Sequence, residues 1–285
     1  MRVWFSLAVV GLCLVPSQAR GQANNLIRRT RGYNMQIKHQ NRRNIGAGMP
    51  ASATTIIRHN VFSKAQNSST WRDAQPNLLV GHWPRSGPGS SDTYQIYGNL
   101  FYQNPTEALF QGEGHLALHD NLFIKDQAPG GFPAIAIQPH NDLPKTVEVF
   151  HNTVVAFGTG IKIVGVDASF RQRARANAVF SAAPNIVAPR ALDNVVDLYE
   201  NAGNYLVDTT SAIGAGLELF PLAGALVGAA ADLSGLTGYE DWDRDYNGTV
   251  RNSRFRGCLC RRRHEPGSVA NACNPSCPCD RSETR

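Results

Sequence analysis

The sequence predicts an all-β solenoid, a chain wound into stacked coils of short parallel strands. Three observations predict it. A pattern of apolar, any, apolar, two of any type, Asn, any, apolar recurs along the chain. A further apolar strand follows each copy. The 285 residues hold 26 Gly and 16 Pro against three Met, which suits many turns rather than long helices.

The Asn-centred pattern stands loosely at Thr55-Ile57-Asn60-Phe62. It is clear at Tyr94-Ile96-Asn99-Phe101, Leu116-Leu118-Asn121-Phe123 and Val147-Val149-Asn152-Val154, with weaker copies around Asn25 and Asn177. A unit of about 22 residues with insertions of varying length fits a solenoid better than a globular sheet. The strands that follow are Met35-Gln36-Ile37, Leu78-Leu79-Val80, Ala108-Leu109-Phe110, Ile135-Ala136-Ile137 and Ile161-Lys162-Ile163. Period-two alternation turns every second side chain inward. Each unit therefore reads as strand, Asn-centred turn, strand, polar loop. Asn tolerates left-handed backbone and bonds locally, so the Asn column is expected to be a structural ladder at a tight corner.

Two C-terminal segments add to the repeat. Leu217 to Gly228 reads Leu-Glu-Leu-Phe-Pro-Leu-Ala-Gly-Ala-Leu-Val-Gly, and Asp241 to Arg251 reads Asp-Trp-Asp-Arg-Asp-Tyr-Asn-Gly-Thr-Val-Arg. Over about residues 24–257 the chain resembles secreted right-handed parallel β-helix repeat proteins, the architecture of pectate-lyase-like and alginate- and chondroitin-lyase-like enzymes. It departs from them at Ala225 and by extra residues between Asp243 and Gly248. It is also short for such a protein, either compact or N-terminally incomplete. The resemblance implies a right-handed parallel β-helix and an acidic polysaccharide as partner.

Both ends differ from the body. Arg2, an apolar run from Val3 to Val15, Pro16 and Ser17-Gln18-Ala19 read as a signal peptide over residues 1–19, placing the mature chain outside the cytoplasm, secreted or periplasmic. The run is too short to span a membrane, so no membrane contact is expected after cleavage. The stretch from Ile213 to Ala231, broken by Glu218 and Pro221, reads as buried or capping structure. Residues 1–43 carry a net +8 and residues 251–285 a net +5, which leaves −7 for residues 44–250. A nucleic-acid-binding fold would carry its positive charge on the body, so none is expected. One Cys lies in the signal and five lie at Cys258, Cys260, Cys273, Cys277 and Cys279. Residues 258–285 thus form a Cys- and Arg-rich tail, expected to be disordered. Read one base out of phase, suitable codons for Gly257 to Gly267 spell Ala-Ala-Tyr-Ala-Gly-Glu-Gly-Thr-Asn-Pro-Gly, which resembles the Gly-Ala-Tyr-like segment that often ends parallel β-helix proteins of this kind. A frameshift near codon 257 is one origin for the tail. Disulfides in an exported chain are the second, and a zinc site with His264 is a distant third.

Candidate chemistry lies where the second strands end. Aligned on Ile37, Val80, Phe110, Ile137 and Ile163, four successive units continue into Lys38-His39, Gly81-His82-Trp83, Gln111-Gly112-Glu113 and Gln138-Pro139-His140-Asn141-Asp142. Coils about 4.8 Å apart let such side chains converge. Lys38, His39, His82, Glu113 and His140 are the candidate catalytic groups. Trp83, Arg85, Gln111, Gln138 and Asn141 are candidate substrate contacts, with Trp83 as a stacking face for a sugar ring. Glu113 and Asp142 are candidate oxygen ligands for Ca²⁺. His59, His119 and His151 form a second column beside the turn, expected to be structural.

β-Elimination from a uronate needs a base for the C5 proton and a cation to neutralise the carboxylate. C5 epimerisation uses the same groups, and hydrolysis needs two carboxylates, for which Glu113 and Asp142 are the pair. The function expected is a monomeric, secreted β-helix acting as a uronate lyase or epimerase or binding an acidic polysaccharide. A non-catalytic or degenerate β-helix is the alternative.

Overall fold

The structure is a computed structural model that describes residues 20–28, 30, 32–38, 42, 48, 50–65, 74–81, 84–127 and 131–260. His39, His82, Trp83, the signal segment 1–19 and Cys273, Cys277 and Cys279 of the tail lie outside the described residues.

The chain forms a right-handed parallel β-helix of three parallel sheets. The first sheet stacks β1 (Arg20–Ala23), β4 (Thr54–Arg58), β7 (Thr93–Tyr97), β10 (Gly114–His119), β13 (Pro144–Phe150), β16 (Gln172–Arg175) and β19 (Ala191–Leu192). The second stacks β2 (Leu26–Arg28), β5 (Val61–Ser63), β8 (Leu100–Tyr102), β11 (Leu122–Lys125), β14 (Thr153–Ala156), β17 (Ala178–Phe180) and β20 (Val195–Asp197). The third stacks β3 (Met35–Ile37), β6 (Leu78–Val80), β9 (Phe110–Gly112), β12 (Ile135–Ile137), β15 (Ile161–Ile163) and β18 (Ile186–Val187). Each coil thus has three strands, where the sequence pattern suggested two. The run after each Asn is a strand of its own, because the corner separates it from the strand before.

Inward residues meet their own column in register. Ile57, Ile96, Leu118, Val149 and Ala174 line the first sheet, and Phe62, Phe101, Phe123, Val154 and Val179 the second. All are buried in one core with Leu78, Phe110, Ile135 and Ile161 of the third sheet. The Phe101 ring stacks at 5.0 Å on Phe62 and at 4.6 Å on Phe123. Each such side chain contributes about 1.5–3 kcal/mol of apolar burial.

The corner between the first and second sheets holds the Asn ladder. Oδ1 of Asn121 accepts the backbone N–H of Asn99 at 3.0 Å, and Oδ1 of Asn152 accepts that of Asn121 at 3.1 Å. The same link joins Asn25, Asn60, Asn152 and Asn177 to the rung above each. The last rung is Asn194, which the pattern missed because its leading strand is only Ala191–Leu192. The left-handed residue is not the ladder Asn but the one before it. Asn24, His59, Gly98, Asp120, His151, Ala176 and Asp193 have φ between 51° and 62°. The ladder side chains offset that strain by holding the corner from inside.

After the last coil the chain turns back along the outside. A short 3₁₀ turn (Tyr199–Asn204) leads to the antiparallel pair β21 (Leu206–Asp208) and β22 (Glu218–Pro221). Leu217, Leu219, Phe220 and Leu226 pack on Leu100, Leu122 and Phe180, the outer face of the second sheet. The apolar stretch Ile213 to Ala231 therefore serves as a lateral cover. The following segment crosses the outer face of the first sheet. There the Glu240 N–H donates to Gln95 at 2.9 Å, and Arg175 donates to the Ser234 carbonyl at 3.1 Å. The packed domain runs past residue 257. Cys258, Leu259 and Cys260 are buried, and the Cys258 N–H and thiol both donate to Thr153 Oγ1, at 3.1 and 3.3 Å. Both cysteines are free thiols. Burial holds the Cys258 thiol far above its ordinary pKa, so it is an inert core residue.

A buried electrostatic cluster fastens this cover. The His119 ring lies between Tyr97 at 4.9 Å and Phe150 at 4.5 Å, and its Nδ1 meets Asp120 Oδ2 at 2.9 Å. Arg251 donates to Asp120 and to the carbonyls of Gly257 and Cys258. His151 is fully buried, and neither ring nitrogen has a hydrogen-bond partner. Burial, with Arg251, His119, Arg256 and Arg175 around it, holds its pKa well below the ordinary value of 6.5. The unfolded chain therefore takes up this proton first, and stability present above pH 6.5 is lost as pH falls below it. Melting temperature should fall between pH 7 and pH 5. His151→Asn, which suits the left-handed backbone as Asn24 does in the first coil of the same column, should shrink that fall. Equal acid sensitivity in the variant would remove His151 as the cause.

Candidate functional site

Two of the three outer faces carry C-terminal cover. The third sheet presents its middle column instead: Gln36, Leu79, Gln111, Ala136, Lys162 and Val187. Gln36 is exposed and Gln111 and Lys162 half-buried, with Leu79 and Ala136 buried between them. The rise between coils, about 4.8 Å, is close to the length of one sugar residue in a chain.

The far edge of this sheet differs from the sequence alignment. Phe110 pairs with Leu78 and Ile135, and Gly112 stands opposite Val80 and Ile137. The pattern stopped at Phe110 because Gly112 has no side chain to mark a strand. The edge column is therefore Lys38, Gly81, Glu113, Gln138 and Val164, and Gln111 sits mid-strand on the outer face.

Glu113 is 1% exposed, and its Oε2 accepts the N–H groups of His140, Asn141 and Asp142 at 2.8, 3.0 and 3.1 Å. The carboxylate anchors the 138–143 loop to the coil below. A Cβ on Gly81 would lie 2.5 Å from Glu113 Cγ, and Gly81 has φ +139°, so only glycine leaves room for this anchor. Three bonds to Oε2 fix the carboxylate on the loop backbone, away from the role of a free base or a Ca²⁺ ligand. Asp142 pairs with Lys145 at 2.9 Å and accepts the Leu143 N–H. The two therefore do not fit a Ca²⁺ site or a hydrolytic carboxylate pair. Among the described residues no three His, Cys, Asp or Glu gather as metal ligands. Glu113→Ala should cost about 2–4 kcal/mol by freeing three amides, read by urea unfolding. A loss under about 1 kcal/mol would refute the anchor.

The structure brings other expected residues together. His140 and Asn141 are exposed at the tip of the anchored loop, and Arg85 donates to the Asn141 carbonyl at 3.1 Å. Gln138 is half-buried, and its N–H donates to the Gly112 carbonyl. Lys38 lies 5.3 Å from the Tyr33 ring centre and 3.5 Å from its hydroxyl. Arg42, which the sequence did not single out, donates to the Ser86 carbonyl and hydroxyl.

The fold also redivides the charge. Residues 20–192, the coils, hold 18 Lys and Arg against nine Asp and Glu, a net +9. Residues 193–250, the last turn and the cover, hold one Arg against ten acids, a net −9. The −7 of residues 44–250 thus divides into +2 over the coils from residue 44 to 192 and −9 over the last turn and cover, and the other +7 of the coils lies at residues 20–43. Part of the positive charge is internal, since Glu148 holds Arg171 and Arg173 at 2.8 Å each.

No family model matches the chain, and neither a curated protein nor a solved structure matches it. Among the described residues no helix is long and apolar enough to cross a membrane.

Proposed function

We propose that this chain is an exported β-helix that binds an acidic polysaccharide along the outer face of the third sheet and the loops at its far edge. One observation carries the reading. Among the described residues of those loops, Asp92 and Glu113 are buried and Asp142 is paired with Lys145, so of their carboxylates only that of Asp167 is half-exposed without a cation beside it. The cations Lys38, Arg42 and Arg85 contact neutral groups, so their charge faces outward. Evenly spaced uronates on a polymer would match such a row. The apolar N-terminal run supports delivery outside the cell.

Elimination or epimerisation is the catalytic form of this reading. An exposed imidazole, His140, stands beside the residue that Arg85 holds, so a proton acceptor and a neutralising cation share one loop contact. The occupied carboxylate of Glu113 favours the plain binding form. Polygalacturonate, alginate and chondroitin sulfate, tested by affinity electrophoresis at low salt and by absorbance of the unsaturated product, separate the two. Lys38→Ala with Arg85→Ala should weaken binding about tenfold or more, the scale of one lost charge-assisted bond. Binding without product would end the lyase form, and no binding to any polymer would end the proposal.

A further inference from the structure

Each of the three parallel sheets ends in a strand that is paired on one side only. At the first coil these strands are β1, β2 and β3, and at the last they are β19, β20 and β18. A strand left open in this way is a template for another chain. The core is open at the same two ends. Ile27, Met35 and Ile37 in the first coil and Ile186 and Ala188 in the last are only partly buried against it. Leu26 is 44% exposed and Val196 47%. The 3₁₀ turn (Tyr199–Asn204) that follows the last coil packs on β14 and β17, with the Tyr199 ring 4.3 Å from Phe157. It therefore runs back along the coils and not across the end of the stack.

The two ends match when the register of the coils is followed from one to the other. In the second sheet Ile27 begins the inward column of Phe62, Phe101, Phe123, Val154 and Val179, and Val196 closes it. Arg28 begins the next column, and Asp197 closes it. In the third sheet Met35 and Ile186 are the two ends of one inward column. The Asn ladder is open in a complementary sense. Inside it, each Oδ1 accepts the backbone N–H and Nδ2 of the rung before. Asn25 is the first rung, and among the described residues no group donates to its Oδ1. Asn194 is the last, and its backbone N–H has no further rung to meet. Charge agrees with this match. Residues 20–43 hold seven Lys and Arg and no acid, while residues 186–204 hold Asp193, Asp197 and Glu200 against Arg190. Asp193 lies 3.9 Å from Arg256. Asp197 accepts from Asn201, the Leu198 N–H and the Tyr205 hydroxyl, which hold its carboxyl below the usual range, so it stays an anion.

We propose that this chain assembles end to end, the last coil of one copy pairing with the first coil of the next. At the coil spacing of about 4.8 Å, Asn194 would donate to Asn25, Val196 would meet Ile27, and Ile186 would meet Met35. Asp197 would face Arg28, and opposite charges directly across a sheet attract. The contact joins two different surfaces, so it propagates into a filament and does not close as a pair. It is independent of the polysaccharide reading.

The test is sedimentation velocity of the full chain over a wide range of concentration. Wild type should shift to larger species as concentration rises. Arg28→Glu sets like charge against Asp197, and Val196→Glu puts a charge at the end of the core. Both side chains are exposed in the single chain, so circular dichroism should show both variants folded. Each alone should raise the concentration of half-assembly about tenfold or more, the scale of like charges set against each other across an interface. Mixed in equal amounts, the two should form one species of two chains and nothing larger. Arg28→Glu keeps its last coil intact and Val196→Glu its first, so one good contact remains. A wild type that stays single at every concentration would overturn the proposal, the ends then being covered by residues 1–19 or by another partner. Assembly that survives Val196→Glu, or a mixture that does not associate, would overturn it too.

Discussion

Replacing Arg251 by methionine is expected to destabilise the chain by about 3–5 kcal/mol, the cost of leaving a buried charge without its partner. Arg251 is 8% exposed and its partner Asp120 3%. The guanidinium donates to Asp120 and to the carbonyls of Gly257 and Cys258, at 2.8 and 3.2 Å for the carbonyls. It therefore ties three pieces together: the corner of the fourth coil, the C-terminal strand of cover and the Asp-rich loop before it. Methionine keeps most of the volume and removes the charge and five donors. Asp120 would then be a buried carboxylate supported only by His119 Nδ1 at 2.9 Å. Asp120→Asn in the same background should recover part of the loss. Asn tolerates the φ of 51° at that position and carries no charge. Urea unfolding of the single and double variants gives the coupling directly. Losses that simply add would mean that Arg251 and Asp120 do not act as a pair.

The contrast between what was legible and what was not has a physical basis. Neighbouring coils repeat the same local problem, so inward positions such as Ile96, Leu118 and Val149 recur in sequence and reveal the solenoid. The Asn ladder was legible for the same reason. The third strand of each coil was hidden, because Val61–Ser63 or Leu100–Tyr102 is too short to show a period. The slip at the third sheet came from Gly112, a strand residue that carries no apolar mark. Glu113 shows the limit most sharply. Sequence places a carboxylate at the coil edge, and only coordinates show that it points at three amides from the next loop. Arg251 lies 131 residues from Asp120, and no local pattern announces such a pair. Lys64 and Lys125 are buried, and nothing in their neighbouring sequence declares that the corner is closed.

The ladder itself should be the other costly place to cut. Asn121 is fully buried, and its Oδ1 accepts from the Asn99 backbone N–H at 3.0 Å and from Asn99 Nδ2 at 2.9 Å. Its Nδ2 donates to the carbonyls of His119 and Ile96 and to Asn152 Oδ1. Asn121→Ala leaves an amide N–H and carbonyls buried without partners. At about 1–3 kcal/mol for each such group, a loss of about 3–5 kcal/mol is expected. Asn25→Ala, at the half-buried first rung, removes a side chain on which no rung below depends, and about 1 kcal/mol should go. Asn121→Asp tests direction. Its carboxylate would face Asn152 Oδ1, acceptor against acceptor, so near neutral pH it should be worse than alanine, and acid should narrow the gap as the carboxyl protonates. If the first and fourth rungs cost the same, the corner is held by backbone pairing between coils, and the side-chain ladder is incidental to it.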